Sequence, residues 1–316
     1  MGLLLPSRDA VALGESPREL VELACEAEAL GYDSVWLGES IVARPRFDPL
    51  ITLAAIASRT DRIGLGTAVL VATLRHPVHL AHSVACLDQL SDGRVILGVG
   101  AGPSYGPARK EYATLGIPFE KRFERLCEAV HLCRLLWQAE SATFDGTYYH
   151  VRDVTIGPKP VQDNGPAVWL GVKGPLGRHL AGEQFDGWLP GPQSPEWFAA
   201  GLEEVRNRAA STLRSVTGAV YVTVTICTDT EAGRRSARTA IERYYQQPYE
   251  SVANLHDSYL GSAAGAAAWL NCYVRSGADH VVVRLLGVRL DEQMRQLAEH
   301  LPAIRRRAVA CNPKPS

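Results

Sequence analysis

A chain of 316 residues is long enough for one large α/β barrel or for two ordinary domains. Apolar residues make up 46% of it and the formal net charge is −1, which is typical of a globular protein and argues against a nucleic-acid-binding or membrane-surface function. No apolar stretch has the length of a membrane span, no signal peptide is expected, and the seven cysteines show no paired spacing, so we expect a cytoplasmic protein.

Strand-like apolar segments alternate with helical patterns along the whole chain. The predicted strands span 2–6, 33–38, a segment that begins at 63, and then 94–99, 167–171, 186–189, 219–227 and 280–286. Alternating β and α units over roughly 300 residues predict a (β/α)8 TIM barrel, with a doubly wound open sheet as the alternative. No linker, charge block or repeat divides the sequence, so a single domain is expected over 1–316.

Helix starts and one insertion are also marked in the sequence. Ser16 opens a capping box with Glu19, and the dipeptides Asp48-Pro49 and His76-Pro77 begin the next two helices. A closing helix is predicted from 291 to about 306. Residues 143–149 predict a β-hairpin around Asp145-Gly146, which we interpret as a small insertion between strands 4 and 5, because an antiparallel hairpin cannot be a barrel strand.

Two glycine-rich loops follow predicted strands at the end of the barrel where active sites lie. The fourth predicted strand ends in a run with glycines at 98, 100 and 102, which leave few side chains, so a flat ligand could approach the backbone. In the loop 171–174, backbone N–H groups, a helix dipole and the Lys173 ammonium would face an anion such as phosphate. We therefore predict one ligand that spans both loops; a glycine-rich turn with a solvated lysine is the alternative.

Other cofactor chemistries fit the sequence less well. A dinucleotide fingerprint fails because Pro103 stands after the glycines, where a small third residue would be needed. His76, His79 and His82 recur every three residues on one helix, but solvated or subunit-facing histidines explain this spacing, and no metal is predicted. A Schiff-base mechanism would depend on Lys173 alone.

In combination these motifs resemble the bacterial luciferase-like family of flavin- and deazaflavin-dependent oxidoreductases. The resemblance is carried by 31–40 (GYDSVWLGES), 61–67 (DRIGLGT), 87–102 (LDQLSDGRVILGVGAG), 112–118 (YATLGIP), 144–149 (FDGTYY) and 186–190 (DGWLP). It implies a TIM-type barrel whose redox ring lies at the strand ends. The ring belongs either to coenzyme F420 or to FMN, which a partner reductase usually supplies in reduced form. The resemblance also implies a non-prolyl cis peptide bond between Ala68 and Val69 that supports the ring.

The short insertions and the Gly-Glu-Ser at the end of strand 2 are more similar to the F420-dependent branch. We therefore predict an F420-dependent oxidoreductase that transfers a hydride between the deazaflavin ring and a small organic substrate. The alternatives are an FMN-dependent monooxygenase and a non-catalytic flavin-binding barrel. Several deazaflavin dehydrogenases have Asp-His where this chain has Glu39-Ser40, and an acid where it has Pro103, which argues against a sugar-phosphate dehydrogenase.

Candidate site residues follow from the strand ends and from the resemblance. Glu39 would position or protonate the substrate with a raised pKa, unless it is an ion-paired or capping carboxylate. Arg284, inside strand 8, is expected to be a buried ion-pair partner. The predicted catalytic residues are Glu39, Ser40 and Tyr105, and the substrate-binding ones are Arg75, His76 and Ser104. The predicted cofactor-binding residues are Ala68, Val69, Gly100, Ala101, Gly102, Gly171, Val172, Lys173 and Gly174.

The second and third helices carry apolar residues on more than one face. One face must cover the barrel, so the other predicts a homodimer. The residues concerned are Ile51, Leu53, Ala54, Ile56, Ala57, Leu80, Val84 and Leu87.

Overall fold

The computed structural model of the protein describes residues 1–103, 106–252 and 258–304. The strands are β1 Gly2–Leu4, β2 Ser34–Leu37, β3 Gly64–Thr67, β4 Leu70–Val71, β5 Val95–Gly100, β6 Ala142–Asp145, β7 His150–Val154, β8 Ala167–Leu170, β9 Gly187–Trp188, β10 Thr217–Ile226, β11 Ser258–Gly261 and β12 His280–Leu285. The helices are α1 Ser7–Leu13, α2 Pro17–Ala29, α3 Pro49–Ala57, α4 Pro77–Leu90, α5 Gly106–Thr114, α6 Arg122–Gln138, α7 Pro175–Gln184, α8 Pro195–Ser211, α9 Thr230–Tyr245, α10 Tyr249–Val252, α11 Ala263–Arg275, α12 Leu290–Ala298 and α13 Leu301–Ile304, with a 3-10 turn at Ala72–Leu74.

Parallel strands close into a barrel in the order β1, β2, β3, β5, β8, β9, β10 and β12. Closure occurs where β12 pairs with β1, with Leu3 opposite Val283. Helices connect successive strands, as parallel pairing requires. The predicted (β/α)8 barrel is therefore confirmed, and the open sheet is excluded. The single-domain boundary at 1–316 stays a prediction.

The predicted hairpin insertion is present as the antiparallel pair β6–β7, between the fourth and fifth barrel strands. The turn is wrong, however, because residues 146–149 separate the two strands and Asp145 still belongs to β6. The carboxylate of Glu128 on α6 accepts hydrogen bonds of 2.7 to 2.9 Å from the backbone N–H groups of residues 147–149. These hydrogen bonds from a neighbouring helix stabilise a loop that is longer than the two-residue turn predicted from the local sequence.

The helix starts at Ser16, Asp48 and His76 are confirmed, since each side chain accepts a backbone hydrogen bond at its helix N-terminus. The single closing helix is wrong, because α12 ends at Ala298 and α13 begins at Leu301. Pro302 cannot donate a backbone hydrogen bond, which suits the first turn of a new helix but not the interior of a long one. Position 306 lies outside the described residues. Helices α1 and α5 were not predicted.

Aromatic side chains fill the amino-terminal half of the barrel. The rings of Trp36 and Trp169 stack with centroids 5.3 Å apart, and the His280 ring lies 5.7 Å from that of Trp36. The Ser34 hydroxyl accepts a 2.6 Å hydrogen bond from the Trp36 indole, and it lies 2.9 Å from Nε2 of His280. A Cβ at Gly66 would lie 2.2 Å from the Trp36 ring, so only glycine fits there. Because this end is packed, a binding site must lie at the carboxyl ends of the strands.

Helices α3 and α4 bury most of the apolar residues that suggested a dimer. Six of these residues are already buried within the single chain, so their apolar character needs no partner: Leu53, Ile56, Ala57, Leu80, Val84 and Leu87. Ala54 is half-buried and Ile51 is 73% exposed, so the predicted second apolar face is reduced to these two residues, and the homodimer stays a prediction. Separately, no described helix combines the length and the apolar character needed to cross a membrane.

Candidate active site

The end of β3 has a cis peptide bond between Ala68 and Val69, as the resemblance implied. The Val69 side chain packs against the two next barrel strands. A Cβ at Gly100 would lie 2.7 Å from one of its methyl groups, and a Cβ at Gly171 would lie 2.6 Å from the other. A Cβ at Gly98 would lie 1.9 Å from a backbone carbonyl of β3. Gly98, Gly100 and Gly171 therefore make room for protein atoms rather than for a ligand. Gly102 instead lines a cavity at the strand ends, and there the expectation of a flat ligand stays a prediction.

Glu39 is a buried, ion-paired carboxylate. Its side chain is 2% exposed and forms an ion pair with Arg75, and Oε2 accepts a 2.8 Å hydrogen bond from the Val71 backbone. Arg75 also binds Asp48 at 2.7 Å. Burial raises the pKa of Glu39, opposed by the charge and hydrogen bond of Arg75 and by the Val71 N–H. Arg75, predicted to bind substrate, is thus engaged by two carboxylates of its own chain.

Ser40 is held by an acid that the sequence did not identify. Its hydroxyl donates to Glu111 on α5, which is only 5% exposed. Glu111 also accepts hydrogen bonds of 2.9 to 3.2 Å from the backbone N–H groups of residues 41–43. An anionic acceptor for three amides fixes the loop after β2. The helical spacing of Ala108, Glu111 and Tyr112 was the available signal, but no helix was predicted there.

Of the remaining catalytic and substrate-binding predictions, His76 lies within the described residues. His76 caps α4, where Nδ1 accepts a hydrogen bond from Val78, and its ring contacts the edge of Tyr149. Ser104 and Tyr105 lie outside the described residues. Across 1–103, 106–252 and 258–304, no three potential ligands cluster in a way that could hold a metal ion.

The second glycine loop leads into α7. Gly174 is the N-cap of that helix without a side-chain cap, and a Cβ there would meet nothing within 4 Å. The Lys173 ammonium donates a 3.3 Å hydrogen bond to the Pro192 carbonyl, and desolvation lowers its pKa. Val172 is buried, and its carbonyl accepts a hydrogen bond from Trp188. The helix start is therefore open to an anion, with one ammonium beside it.

A cavity of about 220 Å³ lies at the ends of β1, β2 and β5. Its lining is Arg8, Glu39, Ser40, Arg44, Arg46, Val71, Gly102, Pro103, Ala108, Glu111, Tyr112, Tyr244 and Tyr245. Ala101, just before it, is buried. Arg284, predicted to be a buried ion-pair partner, pairs with Asp9 at 3.3 Å beside this cavity, which confirms the prediction. Sequence reasoning missed Arg46 and Tyr244. The two residues are 198 positions apart in the chain, and only the fold brings them into contact.

A closed parallel barrel with its cavity and open glycine loop at the carboxyl ends of the strands defines a barrel protein that binds small molecules at those ends. The chain belongs to the luciferase-like monooxygenase family, whose sequence model matches residues 1–271.

Relatives and structural neighbours agree with that membership. An F420-dependent glucose-6-phosphate dehydrogenase of Intrasporangium calvum is 31% identical, over 92% of this chain and 95% of the relative. One of the same name from Mycobacterium tuberculosis is 35% identical, over 64% of this chain and 62% of its own length, and other such relatives match over about half of theirs. A solved F420-dependent secondary alcohol dehydrogenase has a TM-score of 0.82 at 20% identity, over 96% of this chain and 98% of that one. The monooxygenase RslO1 of Streptomyces bottropensis has a TM-score of 0.81 at 23% identity, with the same coverage. These two likenesses concern the fold.

Proposed function

We propose that this chain is an oxidoreductase that uses coenzyme F420 to transfer a hydride to or from a small organic substrate. The observation that carries the proposal is the match to the Intrasporangium calvum enzyme, because it runs along nearly the whole length of both chains. The closed barrel and the cavity at its strand ends support the same conclusion.

The residues at the strand ends fit a cofactor that carries a ring and a phosphate. Space for a ring exists beside Val71 and Gly102 in the cavity lining, and the uncapped start of α7 at Gly174 offers backbone N–H groups to a phosphate. When bound, the deazaflavin supplies the carbon that accepts or releases the hydride. Lys173 would bind the phosphate, and the cis-bonded segment at 68–69 would border the ring.

Glu39 is the carboxyl group that we propose for proton movement. It lines the cavity, and burial raises its pKa, so it holds a proton more readily than an exposed glutamate. Ser40 and Pro103 stand where several F420-dependent dehydrogenases have a histidine and an acid. Glu111 does not replace that acid, because both of its oxygens are bound by the loop after β2. We therefore infer that the substrate differs from glucose 6-phosphate.

The test is a titration of the purified chain with F420 and, separately, with FMN, followed by fluorescence. We expect F420 to bind more tightly than FMN, and reduced F420 to be oxidised by a carbonyl, C=C or C=N substrate from a panel. Tighter binding of FMN together with oxygen consumption would instead assign an FMN-dependent monooxygenase. Binding of either ring with no turnover on the panel would favour the non-catalytic barrel.

The proposal also covers the oligomeric state of the protein, its partner and its cellular location. We infer a homodimer in which the exposed Ile51 on α3 is buried, and light scattering of the wild type against Ile51→Glu tests it. A monomeric mass for the wild type at micromolar concentration would contradict the dimer. A partner that reduces the cofactor and a cytoplasmic location remain predictions.

A further inference from the structure

The cavity at the strand ends contains a buried guanidinium without a hydrogen-bond acceptor. Arg8, in the first turn of α1, is 5% exposed, and neither of its terminal nitrogens has a hydrogen-bond partner in the part of the chain that the structure describes. Its guanidinium carbon lies 4.2 Å from the centroid of the Tyr244 ring, a cation–π contact that leaves the N–H groups unsatisfied. Buried charged donors are normally paired, so this one indicates a partner that binds from solution.

Two more arginines approach the same tyrosine. Nη2 of Arg46 donates a 2.6 Å hydrogen bond to the Tyr244 hydroxyl, while its buried Nε has no partner within the described ranges. The guanidinium carbon of Arg284 lies 3.5 Å from the ring centroid, and Asp9 pairs with that arginine. Among these contacts Asp9 supplies the only carboxylate, so three positive charges meet one negative charge and a phenol.

The two acids that line the cavity are already engaged. Glu39 forms an ion pair with Arg75, and Glu111 accepts hydrogen bonds from Ser40 and from the amides of residues 41–43. In the described part of the chain, neither carboxylate forms a hydrogen bond or ion pair with Arg8 or Arg46. The positive charge on this side of the cavity is therefore not neutralised by its acidic lining.

We propose that the cavity binds an oxyanion of the substrate, a carboxylate or a phosphate group, between Arg8 and Arg46. The inference rests on the proposed function, because it assigns this anion to the substrate of the F420-dependent reaction. Planar guanidinium groups bind such oxyanions through paired N–H donors, which suits the unpartnered nitrogens of both arginines.

The position of the cavity fits a substrate beside the proposed ring. A Cβ at Gly38 would lie 2.8 Å from Nη1 of Arg46 and 3.1 Å from the Ala68 carbonyl oxygen, so this guanidinium lies next to the cis peptide bond. Gly102 lies in the same lining. The phosphate of the cofactor is assigned to the start of α7 at Gly174, which is absent from this lining. The two anion sites are therefore separate.

Tyr244 provides a signal of occupancy. Burial alone would raise the pKa of this phenol, but the charges of Arg46, Arg284 and Arg8 and the Arg46 hydrogen bond outweigh burial and lower it to about 7. An oxyanion between the arginines would weaken that attraction and raise the pKa. Binding near neutral pH should therefore convert tyrosinate to tyrosine and reduce the near-ultraviolet tyrosinate absorbance, a change that Tyr244→Phe abolishes.

The experiment titrates the full chain with inorganic phosphate and with acetate in separate arms, at constant ionic strength, by calorimetry and by tyrosinate absorbance. The variants are Arg8→Met, Arg8→Lys and, as a matched control, Arg59→Met, an exposed arginine paired with Glu22. We expect at least one anion to bind the wild type, binding to Arg8→Met to be weaker by about tenfold or more, and Arg59→Met to match the wild type. Arg8→Lys, which keeps the charge, should bind between the two.

The anion that binds more tightly identifies the group on the substrate. Absence of binding by both anions, or equal binding by wild type and Arg8→Met, would overturn the inference. Displacement of F420 by the bound anion would also overturn it, because the site would then belong to the cofactor. F420 titration of the same variants keeps the two proposals apart: failure of the wild type to bind F420 contradicts the proposed function, whereas anion affinity reports on the arginines alone.

Discussion

The two sides of the barrel mouth hold arginines in opposite electrostatic situations. On one side, Arg75 lies between the carboxylates of Glu39 and Asp48. On the other, Arg8 and Arg46 meet the phenol of Tyr244 and keep nitrogens without partners among the described residues. Little solvent reaches either Arg75 or Arg8, so burial alone does not separate a structural arginine from a binding one. What separates them is whether the chain supplies the negative charge.

The largest effect is expected on the side of the barrel mouth where carboxylates of the chain bind the arginine. Arg75→Met leaves Glu39 buried without its cation, so the free energy of unfolding should fall by about 3–5 kcal/mol, as measured by urea denaturation. Arg8→Met removes a charge that no carboxylate among the described residues binds, so it should cost far less or even stabilise the fold. The double variant Glu39→Gln with Arg75→Met should recover most of the loss. Equal losses for Arg75→Met and Arg8→Met would remove the distinction between the two sides.

The next effect concerns the acid that supports the loop between the two sides. Glu111→Gln removes the charge from an acceptor of three backbone amides, and should lower the free energy of unfolding by about 1.5–3 kcal/mol. Hydrogen exchange at residues 41–43 should accelerate in parallel. The control is Glu120→Gln at an exposed ion pair with Arg109, which should change neither quantity measurably. Unchanged exchange in Glu111→Gln would show that the loop is held by other contacts.

Lys173 is a third cation at the barrel mouth, and we compare it with the arginines through its effect on cofactor binding. Lys173→Glu places a like charge beside the phosphate proposed at the start of α7, so F420 binding should weaken by about 1–3 kcal/mol, or roughly 5- to 150-fold. Fluorescence titration measures this loss. Lys121→Glu makes the same charge change on an exposed lysine at the start of α6 and should leave the affinity unaltered. Unaltered affinity in Lys173→Glu would move the phosphate to another part of the mouth.

The sequence predicted the barrel because that information is local and periodic. Caps at Ser16, Asp48 and His76 and the apolar strands each follow from a few adjacent residues. The closing helix failed for a local reason, since Pro302 suits the first turn of a new helix and not the interior of a long one. The turn at Asp145 failed for a non-local one, because Glu128 anchors the loop from α6.

The candidate site was predicted less completely because side chains meet there from distant parts of the chain. The ion-paired alternative for Glu39 was foreseen, but Asp48 as a second partner of Arg75 was not. Tyr244 and Arg46 are 198 residues apart, so no spacing or motif connects them. Glycines at 98 and 100 were correctly placed at a strand end but misinterpreted, since packing against β3 explains them without a ligand.

The smallest expected effect tests whether the ionised phenol of Tyr244 acts as the counter-ion of the arginines around it. Burial raises the pKa of this phenol, but Arg46, Arg284 and Arg8 outweigh that effect and lower it from 10.0 to about 7, with Tyr221 titrating in the same cluster. Because the folded pKa is depressed, ionisation stabilises the fold fully above about pH 10, and this contribution is lost as the pH falls to about 7.

The urea midpoint of the wild type minus that of Tyr244→Phe should therefore grow as the pH rises from about 7 to about 10. A level difference for Tyr244→Phe would mean that the phenol stays protonated beside the arginines. The positive charge on that side would then be uncompensated at neutral pH, and it would attract an anion more strongly than a cluster already neutralised by tyrosinate.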